Sequence, residues 1–335
     1  MRDIIRGFLF LFCILFFSFE LYSGFLLLRA PSGPPPKLGN RKEMISHLKE
    51  GEGTFSFAVV GDTKGFGVFE KISGRLREMP LSFLVLLGDC VFEGNPHEHR
   101  FLWEEVRRAS FPFPVFYVAG EHDLGEGFDL RRFEETYGPA NFYFLHRGCL
   151  FIGLNASHIT PDMEGTRAFL RRVLSAHRQE VRRVFVFMHA PPLPSFPKGK
   201  RDPALVTLFE KYKVDYVFAG HYHAYARKEV RGTVYLVSGG GGARLNPPKY
   251  GKVCGAFHHA IIITVSPEGI SEDILFVERG WGIGKKIRYA AMVGLPRWVK
   301  DHKFLFPFFN LAVALLVLVL LRRSKVRDKD MGPTG

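Results

Sequence analysis

Five apolar runs in this chain end in the same kind of punctuation, and that repetition constrains the fold more than any other feature. Phe57 to Val60 runs into Gly61-Asp62, Leu84 to Leu87 into Gly88-Asp89, and Pro114 to Ala119 into Gly120-Glu121-His122-Asp123. Val184 to Met188 ends in His189, and Val214 to Ala219 in Gly220-His221-Tyr222-His223. Short continuous apolar runs bounded by turn residues read as strands buried on both faces. Each run therefore delivers carboxylates or imidazoles to a strand end, and in open α/β sheets ligands bind beyond the carboxyl ends of the strands. The chain reads as built to bring these five loops together.

The segments between the runs agree with that plan. Helical patterns near 68–78, 97–109 and 129–137 alternate with strands at 55–60, 83–88 and 114–119. Asn141 to His146 and Cys149 to Leu154 flank Arg147-Gly148 and read as a hairpin. A helix from Glu164 to His177 gathers Phe169, Leu170, Val173 and Leu174 on one face, and its arginines read as a solvated face. Val234 to Val237 leads into Gly239 to Gly242, where glycines let backbone pass close to the centre, and Phe257 to Val265 and Gly269 to Phe276 close the region as paired strands. Parallel βα units followed by antiparallel strands predict a two-sheet α/β sandwich.

Two segments do not belong to such a core. Phe8 to Leu28 is apolar over 21 residues, enough at about 1.5 Å per residue to span a hydrocarbon layer of roughly 30 Å. Phe304 to Leu321 is a second such stretch, of 18 residues. Arg2 and Arg6 would also suit a signal peptide, but no small-x-small cleavage site follows, so the first stretch reads as an uncleaved anchor. Arg322, Arg323, Lys325, Arg327 and Lys329 favour a cytoplasmic C-terminus. The expected plan is a cytoplasmic tail at 1–7, a membrane helix at 8–28 and a Pro-rich spacer at 29–53. An extracytoplasmic domain at 54–280, a basic juxtamembrane segment at 281–303, a membrane helix at 304–321 and a cytoplasmic tail at 322–335 follow.

The formal charge of +13 divides as +2 over residues 1–53, +3 over 54–280 and +8 over 281–335. Most of the excess flanks the second apolar stretch, where each Lys or Arg gains about 1 kcal/mol from anionic lipid headgroups. Such headgroups are the expected partner, and no nucleic-acid motif competes. Outside the first span only Cys90, Cys149 and Cys254 remain, without CxxC spacing, and they read as free thiols.

Asp62, Asp89, Glu121, His189, His221 and His223 mix hard carboxylate oxygens with imidazole nitrogens, the donor set for metals of the Mn, Fe or Zn kind. The ordered pattern GD, GD, GxHD, strand-terminal His and GHxH resembles the calcineurin-like metallophosphoesterase family over Phe55 to Phe276. The resemblance implies a four-layer αββα sandwich, flanked here by two transmembrane helices, and a two-metal centre hydrolysing phosphate mono- or diesters. It implies Asp89 as the bridging carboxylate, Asp62 and His223 on one metal, and His189 and His221 on the other. His122 matches the catalytic acid, and Asp123 the residue that orients it.

Two positions depart from the family pattern. Lys64 stands where a metal-binding His is common, and Glu121 where the family has an Asn ligand. Lysine at neutral pH has no lone pair to give. One positive and one negative charge are added together, so Lys64 and Glu121 are expected to face each other across the centre, with Glu121 ligating metal or pairing with Lys64. Otherwise Lys64 points to solvent from the loop Lys64-Gly65-Phe66-Gly67. Asn95 and His97 are candidates for the substrate mouth, with helix capping as their other use, and His258-His259 for a buttress. The competing function is a pseudoenzyme that binds a phosphorylated ligand without turning it over.

Overall fold

The computed structural model describes residues 2–48, 51, 53–64, 67–157, 160, 162–196, 202–246, 254–278, 280 and 282–330. The chain divides into two units, Pro31–Gly282 and the pair of terminal segments Met1–Ala30 and Ile283–Gly335. Gly65 and Phe66 of the Lys64 loop, Lys49 and Glu50, and the last five residues of the basic tail lie outside the described residues.

Helix α1 (Arg2–Arg29) belongs to the terminal unit. In the larger unit the strands β1 (Phe55–Val60), β2 (Leu81–Leu86) and β3 (Val115–Tyr117) alternate with α2 (Val68–Leu76), α3 (Pro96–Ala109) and α4 (Leu130–Tyr137). A hairpin of β4 (Phe142–His146) and β5 (Cys149–Gly153) is followed by α5 (Met163–His177), β6 (Arg183–Met188), α6 (Pro203–Lys211) and β7 (Tyr216–Ala219). Strands β8 (Tyr225–Val230), β9 (Thr233–Ser238), β10 (Cys254–Gly255), β11 (His258–Val265) and β12 (Ile270–Val277) complete it. One sheet has the order β12-β11-β1-β2-β3, and the other β10-β8-β9-β7-β6-β5-β4. β1, β2 and β3 are parallel, as are β5, β6, β7 and β9, while β11, β12, β4, β8 and β10 join antiparallel.

The period-two alternation of side chains explains the layers. In β6, Phe185 and Phe187 face the other sheet, whereas Val184, Val186 and Met188 join the core under α5 and α6. In β1 and β2, Phe57, Val59, Phe83 and Val85 face inward, and Ala58, Val60, Leu84 and Leu86 join the core under α2, α3 and α4. The space between the sheets is filled by phenylalanine rings, with Phe57 on Phe83 at 4.9 Å and Phe151 on Phe185 at 5.0 Å between centroids. The result is the expected four-layer αββα sandwich.

The end of the Pro-rich stretch packs along the edge of the first sheet. Leu38 is buried and forms a parallel bridge with Val115, and the Gly39 amide donates to the Val115 carbonyl at 2.9 Å. Asn40 seals the join: its Nδ2 donates to the Tyr117 carbonyl at 2.7 Å, and its Oδ1 accepts from the Tyr117 amide at 2.8 Å. A single extended turn of chain thus covers the edge of β3, which would otherwise present unpaired backbone groups. Beyond Arg41 the chain makes a short 3-10 turn, Lys42–His47. Asn40→Ala leaves a buried amide and carbonyl without partners, so urea unfolding should show a loss of about 1–3 kcal/mol.

The terminal unit holds α1, α7 (Ile283–Tyr289), a π turn at Ala290–Gly294, α8 (Leu295–Asp301) and α9 (Leu305–Asp330). The 281–303 stretch is therefore largely helical, and helix also covers residues expected as tails at both ends. Ser23 Oγ donates to the Ala291 carbonyl at 2.6 Å, and Phe16 meets Phe309 edge-on at 5.3 Å. Ile4–Arg29 and Leu305–Arg322 are long and apolar enough to cross a membrane. Phe8, Leu21, Leu28 and Phe308 are exposed on them, a surface suited to lipid rather than water.

Candidate metal centre

The candidate residues sit just beyond the carboxyl ends of β1, β2, β3, β6 and β7, and hydrogen bonds tie these ends together across the two sheets. His189 Nδ1 donates to the Leu87 carbonyl at 2.7 Å, the His221 amide to Asp62 Oδ2 at 2.8 Å, and the Gly241 amide to the Gly61 carbonyl at 2.9 Å. Asp62, Lys64, Asp89 and His221 all have positive φ, at 57°, 34°, 54° and 67°. Non-glycine residues in this region are strained by about 1–3 kcal/mol each, and such strain gathers at functional sites. Glycines make the close approach possible: a Cβ on Gly220 would lie 2.7 Å from Asp62 Oδ2, and one on Gly120 would collide with the Asp89 carboxylate. The expected passage of the glycine run is seen at Gly239, whose added Cβ would lie 3.0 Å from Asp62 Oδ2.

Two groups of possible ligands result. Asp89, Glu121, His189 and His221 bring one donor atom each to within 4.8 Å of one another, as do Asp62, Asp89 and His223. Asp89 belongs to both. His189 Nε2 is 3.3 Å from Asp89 Oδ1 and 3.1 Å from Glu121 Oε2, and His221 Nδ1 is 2.6 Å from Glu121 Oε1. His223 Nε2 is 3.3 Å from Asp62 Oδ1, and its Nδ1 donates to the Arg244 carbonyl at 2.9 Å. A carbonyl partner on Nδ1 fixes the tautomer that turns the Nε2 lone pair toward a cation.

The four-residue group fits a metal ion. Glu121 Oε2 and His189 Nε2 are buried without a properly directed hydrogen bond, and a mixed oxygen and nitrogen donor set suits a borderline divalent ion. In the three-residue group Asp62 Oδ1 is likewise unsatisfied. There, however, a protein cation already touches the shared carboxylate: Lys64 Nζ is 2.9 Å from Asp89 Oδ2, and the lysine side chain is only 5% exposed.

Lys64 is thus neither a solvent-facing loop residue nor the ion-pair partner of Glu121. Its partner is Asp89, because the αL turn at Asp62 and Lys64 aims the side chain inward, while Glu121 lies against the two imidazoles.

Burial by itself would push the Asp89 carboxyl up, but His189, then Lys64 and His122, hold it well below the carboxylate range. Glu121 is lowered too, burial being outweighed by His189 and His221. His189 is raised well above the usual imidazole range, its burial overcome by Asp89, Glu121 and Asp62.

Asp123 requires a second correction. Its carboxylate does not orient the His122 ring. It is fully buried and accepts from the amides of Asp89 and Cys90 at 2.7 Å, of Gly120 at 2.8 Å and of Val91 at 3.3 Å, and from Tyr117 Oη at 2.7 Å. The ring is held instead by the Phe92 carbonyl, 2.6 Å from Nδ1. This leaves His122 46% exposed, with Nε2 3.9 Å from Asp89 Oδ2. Asn95 caps α3, accepting from the amides of His97 and Glu98 at 3.1 Å, so it supports the fold rather than the substrate mouth. Cys90 is a buried free thiol, and His258 and His259 hold Gly240 through Nδ1 at 3.0 Å and a backbone amide at 3.1 Å.

Comparison with known proteins decides the family. The model of the calcineurin-like phosphoesterase domain matches residues 55–225. The chain belongs to that family. Its members named as serine/threonine-protein phosphatase CPPED1 from Danio rerio and Rattus norvegicus are 28% and 27% identical over 193 and 196 residues, half of this chain. The chain spans 62% of the length of these curated relatives. Among solved structures, GAP50, the anchor in the inner membrane complex of Plasmodium, is similar over 72% of this chain and 95% of its own, with TM-score 0.55 and 17% identity. A dimetal phosphatase from Danio rerio is similar over 68% of this chain and all of its own, with TM-score 0.51 and 13% identity. At these identities the structures support the shared fold alone. Family membership and the two ligand groups agree on a calcineurin-like phosphoesterase fold with residues able to hold metal at its centre.

Proposed function

We propose that this chain is a membrane-anchored, metal-dependent phosphoesterase that cleaves a phosphate mono- or diester. The observation that carries the reading is the placement of Asp89 in both ligand groups, with unsatisfied Asp62, Glu121 and His189 atoms around it. Asp89, Glu121, His189 and His221 would hold one Mn, Fe or Zn ion. In its fuller form the reading has a second ion on Asp62, Asp89 and His223. Metal there supplies Lewis acidity toward phosphoryl oxygen and acidifies bound water.

The protein's own part centres on His122. With Nδ1 fixed on the Phe92 carbonyl, Nε2 faces the centre and delivers a proton to the leaving alkoxide. Asp123 holds the Gly120–Asp123 and Asp89–Val91 backbones together, so that His122 and Asp89 keep their separation. The two apolar helices anchor the chain, with anionic headgroups against the basic residues flanking them. The C-terminal charge favours cytoplasmic tails and an extracytoplasmic catalytic domain.

One observation favours a second reading, a phospho-ligand binding module: the buried Lys64 neutralises part of the carboxylate cage. The two separate in one assay. Detergent-purified full-length chain loaded with Mn is expected to hydrolyse p-nitrophenyl phosphate or its bis diester, and His122→Ala to lower kcat by about 10²–10⁴. Phosphate binding without turnover of either ester, with Mn, Fe and Zn each supplied, would instead establish the module.

A further inference from the structure

We infer that the Lys64 ammonium stands where a second metal ion would, so that the centre binds a single ion, in the group Asp89, Glu121, His189 and His221. This rests on the metal-centre reading above and narrows it.

The two oxygens of Asp89 are already divided. Oδ1 accepts from the His122 amide at 2.9 Å and faces His189 Nε2 at 3.3 Å, within the four-residue group. Oδ2 faces the Lys64 Nζ at 2.9 Å. A carboxylate that bridges two ions must turn lone pairs to both, at about 2.0–2.2 Å from each for zinc. A second ion on Asp62, Asp89 and His223 would therefore stand close to a buried ammonium that little water screens. Like charges in such a setting repel strongly, and the ammonium cannot serve as a ligand, having no lone pair.

The loop holds the lysine in this place. The Asp62 amide donates to the Gly88 carbonyl at 2.9 Å and the Ala243 amide to the Asp62 carbonyl at 2.8 Å, so the residue two positions before Lys64 is pinned from both sides. The group left to a second ion offers three protein ligands, against four in its neighbour. Lys64 and the His122 Nε2, at 2.9 and 3.9 Å, both face Asp89 Oδ2. A phosphoryl oxygen entering there meets an ammonium, which binds it as a point charge and hydrogen-bond donor in place of the second ion.

The test is a count of bound ions, which needs no turnover. Full-length protein in detergent is stripped with chelator, titrated with Mn(II), and examined by elemental analysis and electron paramagnetic resonance. The wild type should saturate at one Mn per chain with the six-line spectrum of an isolated ion. Lys64→His, which removes the charge and supplies a ligand, should saturate at two, with the signal of a spin-coupled pair. Two coupled ions in the wild type overturn the inference and leave the metal-centre reading standing. So does a Lys64→His protein that melts like the wild type yet stays at one. No bound Mn in either protein overturns both. The wild-type count decides the matter even if the variant does not fold.

Discussion

Asp89→Asn should abolish metal binding and hydrolysis while leaving the fold in place. The asparagine keeps an oxygen for the His122 amide, which Asp89 Oδ1 accepts at 2.9 Å, so the Gly120–Asp123 turn retains its anchor. What disappears is the charge that both ligand groups share and that Lys64 and His189 face. Metal ions contribute several kcal/mol of transition-state stabilisation, and at 1.36 kcal/mol per decade their loss corresponds to a fall in kcat/KM of about 10³–10⁵. The measurements are Mn content and ester hydrolysis on a variant whose circular dichroism matches the wild type. A variant that keeps its metal and loses less than tenfold in rate would show that Asp89 is not the hub of the centre.

The second large effect is on stability. Asp123→Ala removes an acceptor from four backbone amides and one tyrosine hydroxyl, all in the interior. Each buried donor left unpaired costs about 1–3 kcal/mol, less whatever water or relaxation recovers. A net loss of about 4–6 kcal/mol is expected, a large share of the 5–15 kcal/mol that holds a typical domain together. Urea denaturation or thermal melting checks it. Had Asp123 served only to orient the His122 ring, the same substitution would lower turnover and leave the melting midpoint within a degree or two.

That contrast explains what the sequence could and could not disclose. The positions that converge at the candidate centre were legible because each follows an apolar run, and a buried strand has only its ends at which to present a polar group. The sandwich was legible for the same reason, since βα alternation followed by antiparallel runs leaves few other topologies. Roles were harder to read. Asp123 next to His122 suggested a ring partner, but the backbone turn carries its carboxylate toward amides instead, and one letter stands for both uses.

The groups that do orient the rings are the carbonyls of Leu87, Phe92 and Arg244, which every residue possesses and no sequence pattern marks. Tyr117, which binds Asp123, left a fainter signal, a hydroxyl inside the apolar run Val115 to Ala119. Lys64 depended on a backbone turn with φ of 34°, which composition does not foretell. Helix α6 and strand β8 also go beyond the sequence reading. The first carried readable signals, Asp202 as cap and Pro203 in the first turn; the second is a largely polar strand, Tyr225–Val230, with little hydrophobic period to detect.

The Pro-rich stretch closes the edge of the strand that leads into the His122 turn. Chain leaving α1 reaches the sandwich first at Lys37–Asn40, bonded to Val115 and Tyr117, and only afterwards at β1. Its first backbone bonds to the sheet are therefore with β3, whose last residue lies three positions before Gly120. The turn that carries His122 thus follows the strand that those bonds hold.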